Sequence, residues 1–371
     1  MVKAAACLPA LRARAWFDPD GYPGGPAGEH RPTRSHPPAT GDHTPDHPTD
    51  TKWYRITFTA PWPGRAGRHP VATNLGRLLR RRRLYTGESA NTAQREVARR
   101  LDGGPIPDAA HPDQVSLESL LLQALAWPNE TPRYPCGIRA VHPTPDHLVI
   151  TVENTTKLLH DLVARTLPVG NHRGISGIPG LRHRRSPGGA VTLFLAGTAA
   201  AVTLRGVSWS QWSATAQVLA DTEQFDDAPP LWTGAQGTLT DAESDHLGWY
   251  RDLDGPDCPL WLPSGVLRRI AIFQTTDSPR WVTGWRAGDA VLEHWVFEAS
   301  YRGHSAPHDQ VIDLLTDQRF GLPLVLERRD CRCPHDDPST RCMIYFSSPL
   351  STAARLELRF GCRPSERPAY P

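Results

Sequence analysis

The hydrophobic and polar positions change period along the chain, and the changes mark its elements. From Trp53 to Thr59 the residues are β-branched and aromatic, and Pro61 and Pro63 end the run, which predicts a strand. Leucines through Leu75–Leu84, with Arg77 and Arg80, Arg81, Arg82 and Arg83 among them, predict a basic helix. Asn91 or Thr92 caps a second helix that reaches Leu101 and stops at Gly103-Gly104-Pro105. Residues Pro112–Trp127 set Val115, Leu117, Leu120, Leu121, Leu122 and Leu125 on the apolar side of a third. His147–Val152 reads as a strand. Asn154 then caps a helix over Thr155–Arg165 with Leu158, Leu159, Leu162 and Val163 inward.

Ser186–Leu204 holds 19 residues without a charge, close to the length of a membrane span. It contains Pro187 and three glycines, however, and divides into the similar runs Ala190–Leu193 and Ala201–Leu204 about Gly197-Thr198. Two β-prone runs around a glycine turn predict a hairpin rather than a span. Ser208 caps a helix over Trp209–Ala220. Beyond it the chain is acidic and loop-like to Gly255. Strand-like runs follow at Leu267–Phe273, Arg280–Trp285, Val291–Tyr301, Leu322–Leu326, Cys342–Phe346 and Leu356–Phe360, with one helix near Asp309–Thr316.

This order points to an α+β fold, helices packed on antiparallel sheets, in two domains after a disordered N-terminal tail. The expected divisions are a Pro/His/Asp-rich tail over 1–50, a basic α+β domain over 51–220, an acidic linker over 221–245 and a β-rich domain over 246–371. No repeat of 20–50 residues appears beyond the paired Ala-Val-Thr-Leu.

Composition narrows the classes. Hydrophobic residues make up 39% and Pro is abundant, yet 12 Trp exclude a wholly disordered chain. Collagen, coiled coil and a disulfide-dense miniprotein are excluded as well. Only Lys3, Lys52 and Lys157 are lysines, so GC-rich coding accounts for part of the arginine content. The seven cysteines are unevenly spaced, which suits free thiols in a reducing compartment. The apolar run at the start is short and closed by Arg12 and Arg14, unlike a signal peptide. A cytoplasmic protein with no membrane segment is expected.

Charge is segregated although the net total is only +2. Residues 51–110 carry 12 basic and 4 acidic side chains, and 162–220 carry six Arg and no acid. Residues 221–257 then carry ten acids and one Arg. An acidic segment beside a basic one can fold back and neutralise it, or leave the basic surface to a partner.

Four constellations could carry chemistry. The Gly170–Arg185 segment and its Arg173, Arg182, Arg184 and Arg185 lack nearby acids. It follows a helix and precedes a strand, the reverse of a nucleotide cradle, so nucleic-acid phosphate is the better ligand. The Arg77 and Arg80–Arg83 belt cannot lie on one helix face, which suits phosphate contact over base readout. Cys331, Cys333, His335 and Cys342 gather zinc-type ligands within twelve residues, although Cys-x-Cys is tighter than the usual Cys-x₂-Cys. Such a zinc would be structural. Finally, His294, Glu298, His304 and His308 offer a metal or acid/base set, with no nucleophile beside them. The eight Trp from Trp209 to Trp295 read as core anchors. The reading with most support is a non-enzymatic binding protein that contacts nucleic acid, or an acidic or basic protein partner, through the Arg-rich first domain. The alternative is a metal- or acid/base-dependent hydrolase with its site in the C-terminal domain.

Overall fold

The computed structural model describes residues 70–99, 104–125, 133–171, 174–221, 230–233, 237–252, 259–274, 279–288, 293–302, 308–331 and 341–363. The expected tail and the Trp53–Thr59 strand lie outside these. Val71–Pro371 clusters as one compact unit, and its buried apolar side chains form one core from Tyr85 to Phe360.

Two helices lead in, α1 (Pro70–Thr86) and α2 (Ala90–Arg99). Tyr85 anchors α1 by stacking on Phe320 and donating to the Leu314 carbonyl at 2.6 Å. The α2 cap is Ser89, not Asn91 or Thr92, because its Oγ accepts from Thr92 N at 3.2 Å. Next, α3 (Pro112–Leu125) buries Leu117, Leu120, Leu121 and Leu122.

The first sheet contains β1 (Ile138–Thr144) and β2 (His147–Val152). The chain then passes through α4 (Thr156–Thr166), capped by Thr155, and a small hairpin β3 (Val169–Asn171) and β4 (Gly174–Ser176). It returns to the sheet as β5 (Leu181–Arg185), β6 (Val191–Leu195) and β7 (Ala201–Arg205), giving the order β1-β2-β7-β6-β5. Ser186–Leu204 is therefore a hairpin, and among the described residues no helix is long and apolar enough to cross a membrane. The Gly170–Arg185 segment, expected to precede a strand, itself supplies β4 and β5. After α5 (Trp209–Asp221), capped by Ser208, the acidic stretch forms α6 (Asp241–Asp252). Leu267–Phe273, expected as a strand, instead ends α7 (Trp261–Leu267) and continues as a 3₁₀ turn over Ile270–Phe273. Every residue of that run is buried, and a continuous apolar run does not distinguish strand from helix.

The second sheet contains β8 (Pro279–Gly288) and β9 (Glu293–Arg302), then α8 (His308–Leu315), then β10 (Val325–Asp330), β11 (Arg341–Ser348) and β12 (Ser351–Arg363). Its order is β10-β11-β12-β9-β8. Neither sheet is purely antiparallel: β2 runs parallel to β7, and β12 parallel to β9. In each case a hairpin is followed by a helical crossover to the far edge, and the returning meander brings its last strand beside the second, running the same way.

The same β-β-α-β-β-β unit therefore occurs twice, and the registers agree. Val149 lies opposite Thr203, and Val296 opposite Glu357. Two residues before each valine stands a histidine. His147 Nε2 lies 3.0 Å from Thr203 Oγ1, and His294 Nε2 lies 3.0 Å from Glu357 Oε2. Leu204-Arg205 corresponds to Leu358-Arg359. On the edge strands, Arg184 and Arg185 face Thr192 and Val191, as Arg328 and Arg329 face Tyr345 and Ile344.

The helices that precede the two sheets meet in the core. Arg268 after α7 donates from Nε and Nη2 to both oxygens of Glu118 on α3, at 2.7 and 2.6 Å, and Ser264 adds a 2.7 Å bond. Both charged side chains are fully buried.

Candidate metal centre and basic surface

Cys342 lies opposite Phe360 on the core face of the second sheet, and Asp330 opposite Met343. The next residue after Asp330, Cys331, thus comes across from Cys342. The imidazole of His308, at the start of α8, stands edge-on to the Phe360 ring with centroids 4.7 Å apart. Three elements in this way bring two thiols and an imidazole together, with ligand atoms all within 4.8 Å of one another. The sulfurs are 3.1 Å apart, and Cys331 Sγ is 4.0 Å from His308 Nδ1. Zinc with bonds of ~2.3 Å to sulfur holds two tetrahedral thiolates ~3.8 Å apart, so side-chain shifts of less than an ångström admit it. Cys342 and His308 are buried and Cys331 half-buried. This group could hold a metal ion. Cys333 and His335 lie outside the described residues; among the described residues the histidine of this group is His308.

The two units differ at this place. In the first unit, β5 and β6 are closed by a tight turn, with Ser186 N bonded to the Ala190 carbonyl at 2.8 Å and Gly188 and Gly189 at positive φ. In the second unit the β10–β11 connection is longer, and Cys331 and Cys342 stand at its base. Arg329, beside them, pairs with Asp309. Burial lowers the pKa of this guanidinium, but hydrogen bonds with Asp309 and Cys331 lift it above the usual value.

The quartet His294, Glu298, His304 and His308 does not converge. Strand alternation puts His294, Val296 and Glu298 on one face of β9 and Trp295, Phe297 and Ala299 on the other. Phe360 pairs with Ala299, so His308 lies on the core face, across the sheet from His294 and Glu298. His304 lies outside the described residues. His294 meets Glu357 instead, and Arg359 Nε donates to the other Glu357 oxygen at 2.5 Å. Burial raises the Glu357 pKa, but Arg359 and His294 hold it below the usual range. A carboxyl held ionised in this way cannot serve as a general acid near neutrality.

The arginines divide into two groups. Arg82 and Arg182 are buried, so neither contacts an external phosphate. Arg82 forks onto Glu88 at 2.6 and 2.9 Å. Arg182 forks onto Glu243 of α6 at 2.8 and 2.9 Å. The acidic stretch does fold back onto the basic one at this position. Arg81 pairs with Asp317 at 2.8 Å, and Arg83 Nε donates to the Glu88 carbonyl. Arg77, Arg80, Arg184 and Arg185 are exposed, and among the described residues none forms a salt bridge. Arg184 covers the Phe194 ring at 4.9 Å. Arg173 lies outside the described residues.

One polar cluster had no sequence signal. The ring of His142 on β1 sits between two buried carboxylates, with Nδ1 2.6 Å from Glu88 Oε1 and Nε2 3.6 Å from Glu96 Oε1. Burial pushes the Glu88 carboxyl up, but His142 and Arg82 bring it below its usual value. The three residues come from β1, from the turn after α1 and from α2, and His142 is far in sequence from the two carboxylates.

No protein-family model, no curated protein and no solved structure matches this chain. The functional reading rests on the side chains alone.

Proposed function

We propose that this is a non-enzymatic cytoplasmic binding protein that contacts nucleic-acid phosphate through exposed arginines of its first unit. The observation that carries the reading is the contrast between the two copies of one arginine pair. In the second unit Arg328 pairs with Asp330 at 3.0 Å and Arg329 with Asp309. In the first unit no described carboxylate answers Arg184 or Arg185. The same strand position is neutralised in one copy and left basic in the other.

Gel shifts over a salt series test the reading. Each phosphate contact contributes ~0.9 to the slope of log K against log salt on duplex DNA, so replacing Arg184 and Arg185 together by Ala should flatten it by about 2. The matching Arg328→Ala/Arg329→Ala variant should leave the slope unchanged. No binding by the intact chain at low salt would remove the proposal.

The metal in the second unit is zinc in this reading. Two thiolates and an imidazole suit it better than a hard cation. It would staple α8 to the base of the β10–β11 hairpin. Elemental analysis should find one zinc per chain, lost with Cys342→Ser. Absence of metal from protein purified without chelator would sink the staple. A second reading is favoured by the ligand count among the described residues, since three protein ligands and one further position also describe a hydrolytic zinc. Cobalt substitution separates the two: added anions shift the visible bands of an open site and leave a closed staple unchanged.

A further inference from the structure

We propose that Cys331 and Cys342 are a redox pair, which a hydroperoxide converts into a cross-strand disulfide at the base of the β10–β11 hairpin. Its coupling to zinc rests on the staple reading; the thiol chemistry does not.

The register carries the argument. Residues directly opposed in an antiparallel pair have Cα atoms about 4.5–5.5 Å apart. That falls inside the range of about 4.4–6.8 Å that a disulfide spans without backbone movement. The sulfurs already stand 3.1 Å apart. Neither strand has to shift for the bond to form. The hairpin of the first unit is closed by its own turn hydrogen bonds, and Ser186 occupies the end of β5 there. The two cysteines stand at the base of the longer second hairpin, where metal or a covalent bond can join them.

Exposure assigns the roles. Cys331 is half-buried while Cys342 is fully buried. The peroxide therefore meets Cys331 first. The Cys331 sulfur attacks one peroxide oxygen, the O–O bond breaks, and water leaves once the departing oxygen takes up a proton. The product is a sulfenic acid on Cys331. The Cys342 sulfur then attacks it, the S–O bond breaks, and a second water leaves as the S–S bond forms. Two thiols are oxidised and one hydrogen peroxide is reduced to two waters. Zinc bound to both sulfurs occupies the same electron pairs, so metal and disulfide exclude each other.

The test uses the full chain, with hydrogen peroxide as oxidant. One sample is loaded with zinc and the other treated with chelator. Free thiols are counted, released zinc is read with a coloured chelator, and non-reduced peptides are mapped by mass spectrometry. The chelator-treated protein should lose two thiols and yield a Cys331–Cys342 linked peptide that dithiothreitol reverses. The zinc-loaded protein should react more slowly and release one zinc for each disulfide. In Cys342→Ser, a dimedone adduct should mark Cys331; in Cys331→Ser, Cys342 should stay reduced. A linked peptide from a chain that binds no zinc supports the redox pair and overturns the staple. No such peptide from the chelator-treated chain, or a link from Cys331 to Cys333 instead, overturns the redox pair.

Discussion

Glu118→Ala is expected to destabilise the folded chain by about 3–5 kcal/mol, the range for removing one partner of a buried ion pair. The change leaves the Arg268 guanidinium fully buried with only the Pro107 and Thr144 carbonyls, at 2.8 Å each, to receive its protons. It also removes the acceptor for Ser264 and one of the two acceptors of Gln114, whose Nε2 lies 2.8 Å from Glu118 Oε1 and 3.1 Å from the Ala201 carbonyl. Buried donors left unmet cost far more than the bond contributed when intact. Urea denaturation should show a midpoint shift with little change in slope. The double change Glu118→Leu/Arg268→Met should recover much of the loss, because two apolar side chains of similar size carry no desolvation cost. A single variant within ~0.5 kcal/mol of the parent would mean that the α3–α7 contact is not part of the stabilising core.

The elements whose period was long or clearly bounded were legible. The Ser186–Leu204 hairpin, the Ser208-capped helix and the β2 strand stand where the pattern places them, because each carries its own turn or cap chemistry. The Leu267–Phe273 run was not, since its burial on all sides erases periodicity. The parallel pairs were hidden for another reason: a strand's neighbour is decided by the crossover before it, not by its own residues. The repeat of the β-β-α-β-β-β unit was hidden by divergence. What persists is scattered, at His147 and His294, at Arg205 and Arg359, and at the two edge arginine pairs, and loops of unequal length shift the spacing between them. The candidate metal group shows the same limit. Cys331 and Cys342 were visible as a pair of ligands, but His308 lies on another element. Its ring contact with Phe360 puts it on the core face and separates it from His294, which the linear spacing had grouped with it. The arginine belt was the least legible, because sequence does not tell a buried fork such as Arg82 from an exposed neighbour such as Arg80.

Glu243→Ala should cost a similar ~3–5 kcal/mol, and its pH dependence identifies the cause. Glu243 serves two structures at once. It closes a capping box on α6, where Thr240 N donates to Glu243 Oε2 at 3.0 Å and Glu243 N donates to Thr240 Oγ1 at 3.2 Å. It also receives the Arg182 fork and the Gly180 N–H, which ties the acidic stretch to β5. Burial pushes its carboxyl pKa up, but Arg182 and the backbone N–H groups of Thr240 and Gly180 hold it below its ordinary value of 4.5. A carboxyl whose pKa is lower folded than unfolded adds stability that is fully present above the unfolded value. That stability is lost as pH falls through the folded one. The parent and Glu243→Gln should therefore differ most in denaturation midpoint at neutral pH and converge below pH 4.5. Arg182→Ala strands the carboxylate instead, so its cost should also shrink with acid as Glu243 takes up a proton. A gap between parent and Glu243→Gln that stays constant from neutral pH into acid would show that packing, rather than the buried charge pair, holds α6 against the first sheet.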